Sequence, residues 1–193
     1  YNIDAKIIPL KDDFAIDASD YISCGKMVVI ANPNAPTGMT MEKEDIIRII
    51  ESNPDSVVLV DEAYVDFGAE SAIALIDKYD NLLVTHTFSK SRSMAGARLG
   101  YGMGCAALIA DLNTVKYSTN PYNINSMTMA VGLGTLEDAA YTRNNCQTII
   151  ENREYATVGL QKLGFETTNS SANFIFARHP AVSGERIYTA LRE

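Results

Sequence analysis

Four apolar runs recur along the first half of the chain: "AKIIPL" (Ala5–Leu10), "KMVVIA" (Lys26–Ala31), "SVVLVDEAY" (Ser56–Tyr64) and "NLLVTHTF" (Asn81–Phe88). They are rich in β-branched residues and nearly continuous in apolar character, the pattern of strands buried on both faces of a parallel sheet. Between them the period changes. "TMEKEDIIRIIESNP" places Ile46, Ile49 and Ile50 on one helical face. Thr40 reads as its cap, an acidic first turn follows, and Asn53-Pro54 stops it. "ESAIALIDKYD" (Glu70–Asp80) predicts a shorter helix. The β-α-β-α-β order predicts an α/β fold with a mostly parallel sheet.

After Gly104 the texture changes. "CAALIADLNTVKY" and "NINSMTMAVGLGTLED" predict helices separated by Asn120-Pro121. "AAYTRNNCQTIIENREYATVGLQKLG" predicts a long helix ending at Gly164. "FETTNSSANFIFARHP" reads as two short strands and "SGERIYTALRE" as a last helix. The expected division is a large unit over residues 1–144 and the start of a smaller α+β unit over 145–193. There is no internal repeat and no low-complexity linker.

Composition narrows the partners. The 193 residues carry a formal charge of −8, with 47% apolar and 21% charged residues, as in a soluble globular protein. The acidic balance argues against nucleic acid or an anionic membrane surface. No run of about 18 apolar residues is present, so no membrane span is predicted. The chain begins with Tyr1 rather than Met, and no charged-then-apolar leader follows, so it reads as part of something longer. Cys24, Cys105 and Cys146 are odd in number and lack CxxC spacing, which indicates free thiols in a reducing cytoplasm. With His86 and His179 far apart in sequence, no metal site is expected.

Four features stand at the carboxyl ends of predicted strands, the edge where open α/β sheets bind ligands. The first is the stiff, kinked loop "ANPNAPTG" (Ala31–Gly38), which also reads as a plain connector. The second is Asp61 in "VDEAYVDF". A carboxylate ending a buried strand is costly unless paired or hydrogen-bonded. It could hold a metal, act as a base, pair with a protonated ring nitrogen or cap the next helix, and Tyr64 brings a phenol alongside. The third is Lys90, either a solvated surface lysine or an amine made nucleophilic by partial desolvation in a cleft. The fourth is Arg98 with Thr87 and Ser89, a set suited to a phosphate or to a surface salt bridge.

Taken together, the four features carry a resemblance. An Asp at a strand end, a Tyr three residues on, a Lys at the next strand end and an Arg eight beyond resemble the fold type I aminotransferases that use pyridoxal 5′-phosphate. "NPNAPTG", "DEAYVDF", "TFSKSRSMAGARLGY" and "PYNINS" look most like the histidinol-phosphate aminotransferase group, with a further match at "SSANFIF".

The resemblance implies a mostly parallel sheet sandwiched by helices and part of a smaller α+β domain. It implies that Lys90 forms a Schiff base with the cofactor aldehyde and moves the substrate Cα proton. Asp61 would pair with the pyridine nitrogen, Tyr64 with the 3′-oxygen, and Thr87, Ser89 and Arg98 with the phosphate. The family often has Asn directly before Pro-Thr-Gly; here Ala35 stands there, and Asn34 is the candidate for that contact. His86 stands where the group often has Arg, and reads as a packed neutral imidazole.

The implied reaction is histidinol phosphate with 2-oxoglutarate, giving imidazole acetol phosphate and glutamate in histidine biosynthesis. A small-molecule amino donor and a 2-oxo acid are then the partners of a cytoplasmic homodimer. Two other outcomes stay open: a decarboxylase or lyase acting on a phosphorylated or sulfur amino acid, and an aminotransferase-like sensor domain of a transcription regulator. The resemblance covers about half of a family-length chain, so this stretch alone is expected to be inactive.

Overall fold

A computed structural model describes residues 3–192. Three strands, β1 (Val28–Ala31), β2 (Val58–Asp61) and β3 (Leu82–Thr87), lie parallel in chain order. The fourth, β4 (Gly100–Gly104), runs antiparallel along β3. Register pairs Ala31 with Asp61 and Asp61 with Thr85, so β1 and β2 end level and β3 runs two residues further. The α/β reading holds, with a mostly parallel sheet.

One face of that sheet holds the core. Val28 and Ile30, Val58 and Val60, and Leu82 and Val84 alternate inward and pack on Ile46, Ile49 and Ile50 of α1 (Lys43–Ser52). Fully burying one such side chain contributes about 1.5–3 kcal/mol. The opposite face departs from the prediction of strands buried on both sides. Val29 is 60% exposed, because the elements packed on β1 cover only the side of Val28 and Ile30.

Local chemistry shifts several predicted boundaries. Glu42, not Thr40, is the N-cap residue of α1, and it gives no side-chain cap bond; Glu44 and Asp45 complement the helix dipole instead. The helix closes on buried Asn53, whose Nδ2 donates to the Ile49 and Tyr21 carbonyls while its Oδ1 accepts from the Cys24 N–H. "ESAIALIDKYD" condenses to a single 3-10 turn, Ala72–Leu75. "AKIIPL" forms no strand. Ile7 is 89% exposed there, and a strand needs a paired neighbour as well as propensity.

Four more helices follow: α2 (Ala106–Thr119), α3 (Ser126–Glu137), α4 (Ala139–Lys162) and α5 (Gly184–Ala190). Glu193, the last residue of the predicted final helix, lies outside the described residues. Between α4 and α5, β5 (Glu166–Thr167) and β6 (Ala177–Arg178) form a short antiparallel pair. The division expected at 144/145 falls inside α4, so the chain crosses it within a helix rather than a loop. Arg153 of α4 ties the two parts together, donating through Nη1 to the Phe67 and Ala172 carbonyls.

Candidate active site

Asp61 ends β2 and Thr87 ends β3, which places both at the carboxyl edge of the parallel strands. Asp61 is half-buried. Its Oδ1 accepts from Thr85 Oγ1 at 3.3 Å and from the Ala63 N–H at 3.2 Å. Three residues on, Tyr64 is half-buried with its ring edge-on to Phe174, 5.1 Å between centroids. Lys90 reaches this ring from the next loop: its Nζ lies 5.2 Å from the Tyr64 ring centroid, within cation–π range.

The loop that carries Lys90 is built from tight turns. Thr87 Oγ1 accepts from the Ser89 N–H, the Lys90 carbonyl accepts from the Ser93 N–H, and the Phe88 carbonyl accepts from the Met94 N–H. Ser93 and Arg98 both adopt positive φ, 55° and 54°. These reversals bring the chain back to Gly100, which pairs with Thr87. The sequence reading expected a partly desolvated lysine; Lys90 is exposed. It follows the end of β3, and the Tyr64 ring is its aromatic neighbour.

Thr87, Ser89 and Arg98 line one open hollow of about 470 Å³, together with Gly100 and Gly102 of β4. A Cβ at Gly100 would stand 2.9 Å from the His86 carbonyl oxygen, so a side chain there would push β4 off β3. Arg98 is exposed and donates through Nη1 to the Ala95 carbonyl at 2.8 Å. Among the described residues neither Lys90 nor Arg98 is in an ion pair with a carboxylate. The hydroxyl-and-guanidinium cup read from the sequence is thus gathered in one place.

Asn34 is placed differently from these residues. Its Oδ1 accepts from Thr37 Oγ1 at 2.9 Å, and its backbone N–H and C=O bond Met39 and Gly38, so the residue is tied into its own loop. Both X-Pro bonds of this loop, Asn32-Pro33 and Ala35-Pro36, are cis. The loop docks on the segment before β6: Thr168 Oγ1 donates to the Thr37 carbonyl and the Ser171 N–H to that of Gly38.

The sequence reading missed the role of Glu62. Its side chain is fully buried. Oε2 accepts from Ser71 Oγ at 2.6 Å, Oε1 accepts from the Ala72 N–H at 2.6 Å, and His86 Nε2 lies 2.8 Å from Oε2. His86 Nδ1 lies 3.1 Å from the Tyr101 hydroxyl. With Glu62 ionised, Nε2 donates to it and Nδ1 of a neutral ring accepts from Tyr101. His86 is therefore packed, as expected, and also joins a buried acid to a phenol. Burial pushes the Tyr101 phenol above its ordinary range; Arg92 opposes this, while Asp66 and Glu62 add to it. The available signal for β4 was the Gly-Tyr-Gly-Met-Gly alternation, a period of two.

One edge of the sheet thus presents an amine, a carboxylate, a phenol and an arginine–hydroxyl cup. Such a set can bind an anion, hold a protonated ring nitrogen and transfer a proton through the amine.

Comparison with known proteins identifies the family. Residues 2–193 match the family described as aminotransferase class I and II. Histidinol-phosphate aminotransferase 2 of Dechloromonas aromatica is 46% identical over 196 residues, spanning 100% of this chain and 54% of that protein. The crystal structure of the histidinol-phosphate aminotransferase from Clostridium acetobutylicum superposes with a TM-score of 0.86 at 29% identity, over 95% of this chain and 57% of that one. That of Sinorhizobium meliloti, solved in complex with pyridoxal-5′-phosphate, gives a TM-score of 0.78 at 22% identity, over 88% of this chain and 48% of that one. At that identity the likeness speaks for the fold alone. The chain spans about half the length of the curated relatives it matches.

Proposed function

This chain belongs to the class I and II aminotransferase family, and from that premise we propose a pyridoxal 5′-phosphate-dependent transamination of histidinol phosphate with 2-oxoglutarate. The observation that carries the reading is Lys90 Nζ standing 5.2 Å from the Tyr64 ring centroid, at the edge where Asp61 ends β2. The donor set fits the cofactor: an exposed primary amine for its aldehyde, a carboxylate for its ring nitrogen, and a hollow lined by Arg98, Thr87 and Ser89 for its phosphate. Asn34 is the weaker member, since Ala35 rather than Asn stands directly before Pro36; its Nδ2, not the Oδ1 that accepts from Thr37, would donate to the 3′-oxygen.

When bound, the cofactor supplies an electron sink for the charge left by removal of a substrate Cα proton. The rest is the work of the chain. Lys90 Nζ would hold the cofactor by its aldehyde and, once displaced by the substrate amine, would act as the base that takes the Cα proton and as the acid that gives it back. Asp61 holds a negative charge against the ring nitrogen, with Thr85 and the Ala63 N–H fixing one of its oxygens. The Tyr64 hydroxyl orients the 3′-oxygen. Arg98, Thr87 and Ser89 hold the phosphate, a dianion for which a planar guanidinium is the suited partner.

Residues 1–144 form the large cofactor-binding unit in this reading, and 145–193 open the smaller one. A homodimer in the cytoplasm is the assembly proposed. Apolar side chains exposed on α3, among them Met127, Met129, Val131 and Leu133, support a covered surface there. Among the described residues no helix is long and apolar enough to cross a membrane.

The test is chemical. Full-length protein loaded with the cofactor, reduced with borohydride and digested, should carry the label on Lys90. Histidinol phosphate should be consumed beyond one equivalent per site only when 2-oxoglutarate is present. Label on another lysine would overturn the site; no consumption of histidinol phosphate, with carbon dioxide released from a phosphorylated amino acid offered instead, would overturn the reaction.

A further inference from the structure

The loop bearing Tyr64 and the loop bearing Lys90 are joined by one side-chain hydrogen bond: Ser91 Oγ donates to Asp66 Oδ2. Each partner stands beside a residue of the proposed site. Ser91 follows Lys90 directly, and Asp66 lies two residues after Tyr64. Ser91 is buried, whereas Asp66 is exposed, so the bond runs from the inside of one loop to the rim of the other.

The surroundings hold both ends. Asp66 lies within the 3-10 turn Val65–Phe67, whose Phe67 side chain is fully buried and whose Phe67 carbonyl accepts from Arg153 at 2.8 Å. On the other side, Arg92 donates through Nη1 to the Thr135 carbonyl at 2.7 Å, and its guanidinium carbon lies 5.4 Å from the Phe88 ring centroid. The Lys90 loop is therefore pinned one residue and two residues past the lysine. Before the lysine, Ser89 is bonded to Thr87.

A lysine side chain is long and rotamer-rich, so the position of its Nζ depends on how firmly its Cα is held. A misplacement of about 1 Å in a reacting group can cost on the order of a hundredfold in rate. We infer that Ser91 and Asp66 are positioning residues: their hydrogen bond sets the reach of the Lys90 amine toward Tyr64 and the proposed cofactor position. This rests on the assignment of Lys90 as the cofactor lysine. Neither Ser91 nor Asp66 is required to touch substrate.

The experiment uses the full-length holoenzyme with Ser91→Ala, Asp66→Ala, Asp66→Asn and the Ser91→Ala/Asp66→Ala double variant. Two quantities are read: the pH midpoint of the visible absorbance of lysine-bound cofactor, and kcat and KM separately. Loss of a hydroxyl–carboxylate bond at this place is expected to lower kcat about tenfold with KM little changed, and to shift the absorbance midpoint. The double variant should match either single one, since both remove the same bond. Asp66→Asn keeps an acceptor for Ser91 Oγ and should recover most of the wild-type midpoint and kcat.

Asp66 is exposed, so its variants test the bond without opening the core should Ser91→Ala fold poorly. An unchanged midpoint with kcat within twofold in both alanine variants would overturn the inference, as would effects that simply add in the double variant. Lys90→Ala separates the two claims. If it abolishes the absorbance while Ser91→Ala and Asp66→Ala leave the midpoint in place, the cofactor assignment stands and the positioning role falls. If the absorbance survives Lys90→Ala, both fall.

Discussion

Thr85 Oγ1 lies 3.3 Å from Asp61 Oδ1, across the register pair that joins the end of β2 to β3. That bond comes from the neighbouring strand and a second, from the Ala63 N–H at 3.2 Å, comes from the turn that follows, so sheet and turn together orient the carboxylate. Asp61→Asn preserves the shape and the bond from Thr85 but removes the charge. In the full-length enzyme it should retain cofactor and lose about 10²–10³ in kcat, the usual cost of removing one electrostatic stabiliser. Absorbance titration and steady-state kinetics check this; turnover within a few-fold of wild type would rule out the role given to Asp61.

Glu62 offers a stability test away from the reacting groups. Its fully buried side chain meets Ser71 Oγ, the Ala72 N–H and His86 Nε2. Glu62→Ala leaves all three donors without their acceptor and should cost several kcal/mol, at about 1–3 kcal/mol for a buried donor left unsatisfied. Glu62→Gln keeps the shape and one acceptor oxygen and should cost less. Urea midpoints at constant slope measure both. A loss below about 1 kcal/mol in Glu62→Ala would place a typical surface value on a buried group.

These two neighbours show what the sequence discloses and what it does not. Asp61 was legible because an apolar run ends on it, and a carboxylate at the end of a buried strand needs a reason. Lys90 and Arg98 became legible through the order and spacing of their partners. Glu62 was not, because its contacts lie 9, 10 and 24 residues away and depend on how β2, β3 and the 3-10 turn are set against one another. β4 was hidden for a different reason. Glycine has low strand propensity, yet the close approach to the His86 and Leu82 carbonyls, 2.9 and 3.0 Å from a Cβ at Gly100 and Gly104, requires it. The apolar "AKIIPL" shows the converse error, since propensity without a pairing neighbour makes no strand.

The contact between Gly38 and Ser170 joins the loop after β1 to the segment leading into β6. Gly38 has φ of 71°, and a Cβ there would lie 2.1 Å from Ser170 Oγ and 2.6 Å from Ser170 Cβ. Gly38→Ala therefore carries a backbone penalty of about 1–2 kcal/mol and a clash besides. Ser170→Gly removes the two nearest atoms, so it should relieve most of the clash and leave a 3.0 Å approach to the Cα of residue 170 and the backbone term. The double variant Gly38→Ala/Ser170→Gly is expected to be more stable than the sum of the single effects predicts, by denaturant midpoint. Strict additivity would show that the two loops are not pressed together.

Cys146 connects α4 to the region of Arg92 and Asp66. Burial pushes its thiol above the ordinary range, Asp66 adds to this, and Arg92 opposes it. The sign follows from which state loses the proton first. The unfolded chain ionises its thiol near the ordinary value of about 8.5, while the folded chain still holds the proton. Unfolding therefore releases a proton in that window, and stability falls as pH rises through it. Below it Cys146 contributes no pH dependence. Cys146→Ala should flatten the decline between about pH 8 and the onset of tyrosine ionisation near pH 10. Tyr21 and Tyr101, also raised by burial, add a decline of the same sign only above that onset. Alkylation gives an independent reading: exposed Cys24 should react first and buried Cys146 last, at a rate that follows unfolding. Equal rates for the two thiols, or an unchanged slope in Cys146→Ala, would remove burial as the cause.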